Sequence, residues 1–414
     1  MQQKVKDFLT AHNMDTARFS FAQLVDEYIE EMTRGLVGED SSLQMEPSYV
    51  CLGAVKKNTP VCVIDAGGTN LRIASAQFDD AGAFTFLTQP DKTDMLGAKT
   101  PITAEEFFRT LAQMMLPHMQ HTSHAVLSFA FPAQNLPNLD ARVIFLDKEV
   151  VVHGINGMLL AENLEKALAE QGVRDPKVIV INDSVATCLS GMAERLADGF
   201  DTYTGTILGT GNNSCYVEQI KNIKKIPPAD GEMIINTEAG GFAKAPKSDI
   251  DLAFDAGLHD PGKQTGEKQV SGAYLGPLCA FTLQTAAKEG VFTQTGDLSA
   301  ISTLDVDNFL RSRSGALAEV CAADELDCVY EIVCAVVARA ALFAAVQMAA
   351  IAKKAGAKRV CMTVEGSTYY KLYQFKQRID DTIHAYFKPL GIEAEMIEVD
   401  AAVLKGCAIA GLME

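Results

Sequence analysis

Two stretches of this chain carry residues suited to gripping a phosphate. The apolar run Val61-Cys62-Val63-Ile64 leads straight into Asp65-Ala66-Gly67-Gly68-Thr69-Asn70, and a second strand-like run, Leu71 to Phe78, follows at once. Paired glycines take side chains off the tip, so backbone N–H groups can approach an anion, and a carboxylate at the strand end can hold a hydrated magnesium ion. A plain Gly-Gly turn is the commoner use of such a pair between strands. A second copy argues for phosphate: Thr206-Ile207-Leu208 ends in Gly209-Thr210-Gly211-Asn212-Asn213-Ser214 and passes into the β-rich Cys215-Tyr216-Val217. No segment has the order of a Walker-type loop, and no dinucleotide fingerprint is found. Two separated hairpins with Gly/Thr tips imply two similar subdomains facing one nucleotide, a duplication in shape without detectable sequence repeat.

A third candidate lies where the run Val178-Ile179-Val180-Ile181 ends in Asn182-Asp183-Ser184 just before a helical stretch. Asp183 could be a helix cap. Strand ends facing a cleft are also where α/β enzymes gather their chemistry, and Asn182 is placed to contact a ligand hydroxyl. If Asp183 accepts or orients a sugar hydroxyl's proton it need not be a strong base, because phosphoryl transfer is carried mainly by positioning and charge stabilisation.

These residues need elements to hold them. The chain opens with a helical stretch in which Phe19, Leu24, Tyr28 and Met32 recur at near-helical spacing, and Val50 to Lys57 reads as a connector. After the first hairpin the pattern predicts an acidic amphipathic helix over Ala104 to Met115 and a strand from Ala125 to Phe131, stopped by Pro132. A helix from Asn156 to Gln171 then precedes the strand Val178 to Ile181. Strands alternating with helices give the α/β class, and 414 residues exceed what one core usually organises, so two lobes are expected.

A net charge of −17 leaves no basic stripe to displace counterions, which argues against nucleic-acid and anionic-membrane partners. The ten cysteines are scattered, with several in apolar runs such as Cys62, Cys334 and Cys361; they read as buried small hydrophobes in a reducing cytoplasm. Met1 to Asp15 has no apolar core of a signal peptide. Ile332 to Ala352 is long enough to span a bilayer, but its alanine content and the interruptions at Arg339 and Gln347 point to a buried helix.

At these residues the chain resembles the hexokinase and glucokinase family, sugar kinases of the actin-like superfamily. IDAGGTNLR (Ile64 to Arg72) resembles the family's LDLGGTNFR, SFAFP (Ser128 to Pro132) its FSFP, and INDSVAT (Ile181 to Thr187) its VNDTVGT. LGTGNNSCYVE (Leu208 to Glu218) is similar to VGTGTNACYME, INTEAGGF (Ile235 to Phe242) to INTEWGAF, and GEKQVSGAYLG (Gly266 to Gly276) to YEKMISGMYLG. VEGSTYYK (Val364 to Lys371) resembles the adenosine segment VDGSLYKK. The blocks keep the family's order from about Val61 almost to the C-terminus.

The resemblance implies an α/β fold of two RNase-H-like domains around a deep cleft, with ATP and Mg2+ as cofactors and a hexose as the small-molecule partner. It implies that Asp183 is the base for the sugar 6-hydroxyl, that Asn182, Asn213, Glu238 and Glu267 bind other hydroxyls, and that Phe131, Pro132 and Asp147 line the sugar. Lys148 falls where the family's NWTKG lysine falls and would steady the moving phosphoryl charge. Asp65, Gly67, Gly68, Thr69, Asn70 and Arg72 would form one phosphate site, Gly209, Thr210 and Gly211 the other, and Gly366 and Ser367 would lie beside the adenosine. Magnesium would be held largely through waters, with no dedicated protein cage. The implied organisation is an N-terminal helical segment over 1–52 packing on the large domain, a small domain over 53–181, a large domain over 182–403, and a C-terminal helix over 404–414 returning to the small domain. The implied activity is ATP-dependent phosphorylation of a hexose at O6, glucose being the expected sugar, in a cytoplasmic monomer or homodimer. Mannose, fructose or an amino sugar, or a non-catalytic hexose sensor, are the alternatives.

Several positions depart from the family's pattern. Ala130 stands for the sugar-contacting Ser, and Asp147 for the Thr before the lysine, which alters the sugar pocket. Ala239 and Gly240 leave room or flexibility where the family has Trp. Glu365 replaces an Asp beside the adenosine, and Ala401 to Gly406 lacks the usual GSG-type loop.

Overall fold

The computed structural model describes residues 2–50, 53–146 and 150–413. The strand Val61–Ala66 is buried at every position because both faces of its sheet are covered. It pairs antiparallel with Asn70–Phe78 and parallel with His124–Phe129, which in turn runs parallel to Lys177–Ile181. Phe84–Phe86 and Asp91–Asp94 extend the sheet beyond Asn70–Phe78. In the second sheet Thr202–Leu208 takes the central place. It pairs antiparallel with Asn212–Gln219 and parallel with Arg359–Glu365; Glu232–Asn236 and Glu393–Ile397 lie outside these. Both sheets therefore share one plan, an antiparallel meander of three strands followed by two parallel ones, in the order 3-2-1-4-5. This is the duplication in shape expected from the two hairpins, in the RNase-H-like form that the family resemblance implies.

Helices Ala104–Met115 and Leu160–Glu170 close one face of the first sheet through Phe107, Leu111, Leu164 and Leu168. The second helix starts later than its expected bound of Asn156. Gly157 turns the chain in a left-handed conformation, and the distant Asp140 caps the first turn by accepting from Ala161 N (2.7 Å) and Glu162 N (3.2 Å). The strand before Pro132 ends early, at Phe129; Ala130 N donates to the Ala66 carbonyl (3.1 Å), and Phe131 and Pro132 beyond it line the cleft.

The C-terminal helix Ala402–Leu412 covers the other face of the first sheet and also crosses the Asp183–Arg195 helix, which lies on the second sheet. The crossing is tight: a Cβ on Gly406 would stand 1.9 Å from the Ala186 carbonyl oxygen. Only glycine permits this backbone approach, and it joins the two sheets through one helix pair.

The long apolar run forms the helix Leu326–Lys354, most of it buried against the N-terminal helix Phe21–Val37 and the helices Gly272–Lys288 and Phe375–Phe387. Its polar interruptions have partners. Arg339, 1% exposed, holds Asp251 with both terminal guanidinium nitrogens, and Gln347 Oε1 accepts from Asn212 Nδ2 (2.9 Å) in the second hairpin. The nine described cysteines are free thiols; eight are buried and Cys334 is half-buried.

Candidate active site

The carboxyl ends of the central strands open on a polar cavity of about 380 Å³, reached by both hairpin tips. The first tip is closed by Gly67 N donating to the Asn70 carbonyl (3.0 Å), and the second by Gly209 N donating to the Gly211 carbonyl (3.0 Å). The second is also held from behind, since the Gly209 carbonyl accepts from Gly272 N and from Thr368 Oγ1 (both 2.8 Å). The tips meet: Thr69 Oγ1 lies 3.2 Å from Thr210 Oγ1, although the residues are 141 apart in the chain.

Deeper in the cavity runs a chain of amides and carboxylates. Asn182 caps the Asp183–Arg195 helix by accepting from Ser184 N (2.8 Å) and Ser184 Oγ (2.6 Å), which leaves Asp183 as the first helical residue. Asn213 Nδ2 donates to Asn182 Oδ1 (3.2 Å) and to Asn236 Oδ1 (2.9 Å), and Asn236 Nδ2 donates to Glu238 Oε1 (2.7 Å). Glu238 itself sits in the left-handed region at φ 54°, a conformation that costs a non-glycine residue roughly 1–3 kcal/mol and is held here by the surrounding network. On the facing helix Thr265–Val270, Glu267 Oε2 accepts from Asn212 N (3.2 Å). These amides and carboxylates offer convergent donors and acceptors of the kind that vicinal hydroxyls satisfy.

Toward the other end stand Asp65 and Arg72, paired across the first hairpin at 3.6 Å. Burial pushes the Asp65 carboxyl up to about 7; Arg72 opposes the rise, while Asp183 and Glu365 add to it. Glu365 is raised too, chiefly by burial, against Arg72 and with help from Glu398 and Asp183. Asp65 and Glu365 are oxygen donors of the kind a hard divalent cation would meet through its waters; among the described residues no group of three or more His, Cys, Asp or Glu side chains is placed to cage a metal ion. A carboxyl raised from 3.8 to about 7 favours folding below its unfolded value, and that advantage is lost as pH climbs through 7. Asp65→Asn is therefore expected to melt higher than wild type at pH 8, with the difference vanishing toward pH 4; a gap that is constant across thermal melts at pH 4, 6 and 8 would refute this.

Beside this end opens an apolar slot of about 240 Å³ that shares Thr210, Ser367 and Lys371 with the main cavity. Gly272, Ala273, Leu304 and Leu372 form its walls. Its threonines are engaged elsewhere: Thr303 Oγ1 donates to the Gly272 carbonyl (2.6 Å), and Thr368 Oγ1 to that of Gly209.

Family comparison decides the identity. One hexokinase model matches residues 203–413 and another matches residues 4–193. The chain belongs to the hexokinase family. It is 26% identical to Hexokinase-2 of Candida albicans over 436 aligned residues, covering 94% of this chain and 88% of that protein. It is also 26% identical to mouse Hexokinase-1, covering 92% of this chain but 43% of that protein. The chain thus spans less than half the length of the mammalian Hexokinase-1 relatives it matches. A Schistosoma mansoni hexokinase complexed with glucose shares the fold across 99% of both chains, at TM-score 0.85 and 24% identity. A bacterial glucokinase from Streptomyces griseus, in complex with glucose and AMPPNP, shares it more distantly at TM-score 0.51 and 15% identity, over 85% of this chain and 98% of that one.

In this family member one cavity gathers Asp65, Gly67, Gly68, Thr69, Asn70, Arg72, Phe131, Pro132, Asn182, Asp183, Asn213, Glu238 and Glu267, with Gly209, Thr210, Gly211, Gly366 and Ser367. Asp147 and Lys148 lie outside the described residues. Residues not singled out by sequence reasoning are Asn236, the hub between Asn213 and Glu238; Gln264, whose buried Oε1 has no partner among the described residues; and Glu398 and Tyr370 near Glu365. Asn236 stands in the same INTE block as Glu238, so its amide was a signal available in the sequence.

One expectation about the departures changes. Ala239 is buried, and a Cβ on Gly240 would lie 2.7 Å from Gln264 Oε1 and 3.2 Å from Glu267 Oε2, so the backbone here is packed closely by the facing helix instead of leaving room. Ala401 itself adopts the left-handed conformation (φ 51°) that starts the C-terminal helix, the turn a glycine would make without strain.

Proposed function

We propose that the chain transfers the γ-phosphate of MgATP to the 6-hydroxyl of a hexose, with glucose the expected substrate. The observation that carries the reading is the meeting of the two glycine tips over the same cavity that holds Asp183 and its amide network. The glucose and AMPPNP complexes of the structural relatives support the same pair of substrates. Asn182, Asn213, Glu238 and Glu267 bind the sugar hydroxyls and turn O6 toward Asp183, whose carboxylate accepts the hydroxyl proton as the oxygen attacks. The hairpin N–H groups and the Thr69 and Thr210 hydroxyls meet the phosphate charge, and Arg72 adds a guanidinium. Lys148 takes the role of steadying the transferred group. Asp65 and Glu365 would hold magnesium through its waters; when bound, that ion neutralises donor phosphate oxygens. The apolar slot receives the adenine, with Gly366 and Ser367 beside the ribose. Closure of the cleft removes water that would otherwise compete with O6. The proposal includes a cytoplasmic setting and action as a monomer or homodimer.

The test is a coupled ADP-release assay with glucose, mannose, fructose and glucosamine. ADP release dependent on at least one hexose is expected; sugar binding without ADP release, the behaviour of a sensor, or ATP hydrolysis indifferent to sugar would overturn the reading. The same panel tests Asp147→Thr, which is expected to change the ratio of kcat/KM values between hexoses by about tenfold, the scale of the net contribution of one hydrogen bond. An unaltered ratio would mean the side chain points away from sugar.

A further inference from the structure

The cleft is bridged at both ends. At the donor end stand Thr69 and Thr210; at the sugar end the Lys263 ammonium lies over the Phe145 ring, 5.5 Å from its centroid. The two residues belong to opposite sides. Phe145 follows the strand Ala141–Val143, whose apolar side chains lie in the core of the first sheet, and Ile144 N donates to the Pro132 carbonyl (3.0 Å), tying this loop to the Phe131–Pro132 corner of the cavity. Lys263 comes from the turn before the Glu267 helix. Gly262 N donates to Asp255 Oδ2 (2.7 Å) and Lys263 N to the Asp260 carbonyl (3.2 Å). The next residue, Gln264, is held at φ 48° in the left-handed region with its Oε1 beside Gly240 and Glu267.

We propose that Lys263 and Phe145 form a clasp across the sugar-side mouth, and that Lys263 is a positioning residue that sets sugar affinity through the closed cleft. The inference rests on the sugar-kinase reading above. A cation over an aromatic face is attracted by the ring quadrupole, more strongly as the pair loses water. The attraction operates only while the two sides are together, so it weights the closed state and thereby tightens whatever ligand that state binds better. It also anchors the turn that keeps the strained Gln264 pointed at the pocket. Neither side chain lines the cavity, so the effect belongs to sugar binding and not to the transfer step.

Lys263→Met keeps the aliphatic stem and removes the charge. It is expected to raise the sugar KM about three- to fivefold with kcat within about twofold, whereas Lys263→Arg keeps the cation and restores KM. Phe145→Leu should give the same rise as Lys263→Met, and the double variant should be no worse than either single change. The chain contains no tryptophan, so Phe145→Trp installs one indole at the clasp. Glucose should shift its emission, and adding Lys263→Met should abolish the shift. An unchanged sugar KM in Lys263→Met, additive losses in the double variant, or an indole blind to glucose in the Lys263 background would overturn the clasp. A wild-type chain that releases no ADP with any hexose would instead overturn the kinase reading, and the indole titration would still decide the clasp.

Discussion

Asp183→Ala is expected to lower kcat by roughly a thousandfold, within the range that a positioned general base contributes. The carboxylate occupies the first position of a helix whose N-terminal dipole favours the anion, and its charge adds to the rise that burial causes in Asp65 and Glu365. Removing it deletes the proposed proton acceptor while leaving the hairpin tips and the amide network in place. The fold should tolerate the change: Asn182 remains the cap, still accepting from Ser184 N, so the loss is about the 0.3–1 kcal/mol of one charge at a helix end. Asp183→Asn separates geometry from proton transfer, because the amide keeps an oxygen for Ser184 N but cannot take the hydroxyl proton. Both variants should bind glucose within a few-fold of wild type by calorimetry and fail in the ADP-release assay. Turnover within tenfold of wild type in either variant would remove Asp183 from the chemistry.

What could be read from the sequence follows from how local each signal is. The hairpin tips and the Asn182-Asp183 strand end were legible because strand, turn and polar residue are contiguous, and the observed bounds Val61–Ala66 and Lys177–Ile181 fall within two residues of the hydrophobic runs. The helix Ala104–Met115 was equally plain, with Thr103 and Glu106 forming a capping box at its start. The late start of Leu160–Glu170 was hidden because its cap, Asp140, is about twenty residues upstream. Interactions that close the cleft were hidden for the same reason: nothing in either local pattern pairs Thr69 with Thr210, or Phe145 with Lys263. Arg339 and Gln347 looked like flaws in an apolar run, yet each answers a polar group from a distant segment, Asp251 and Asn212. The left-handed settings of Glu238, Gln264 and Ala401 were also invisible, since no glycine or asparagine marks those turns.

Gly366→Ala is expected to disable the donor end. Strands Thr202–Leu208 and Arg359–Glu365 run parallel side by side, with Ile207 level with Glu365, and both turn at that shared end into the segments that line the proposed donor end of the cavity. Gly366 makes its turn at φ 128°, ψ 141°, a region open in practice to glycine alone. A Cβ there would stand 2.5 Å from both the carbonyl carbon and oxygen of Leu208 and 2.6 Å from Gly209 N. Those atoms are backbone and have no rotamer to change, so the second hairpin tip must shift, and with it the Gly209 carbonyl that anchors Gly272 and Thr368. Backbone strain of about 1–3 kcal/mol and a clash of similar size give an expected stability loss of about 2–5 kcal/mol. The KM for ATP should rise at least about tenfold, since a 1.4 kcal/mol loss of binding already suffices. Gly391→Ala separates the two causes: Gly391 is also left-handed (φ 63°), but nothing lies within 4 Å of its Cβ position, so only the conformational penalty of about 1 kcal/mol applies. Urea melts and ATP titrations of the two variants should therefore diverge, with Gly391→Ala keeping the wild-type KM. If Gly366→Ala matches Gly391→Ala in both measurements, the backbone approach between the Gly366 turn and Leu208 is not what shapes the donor site.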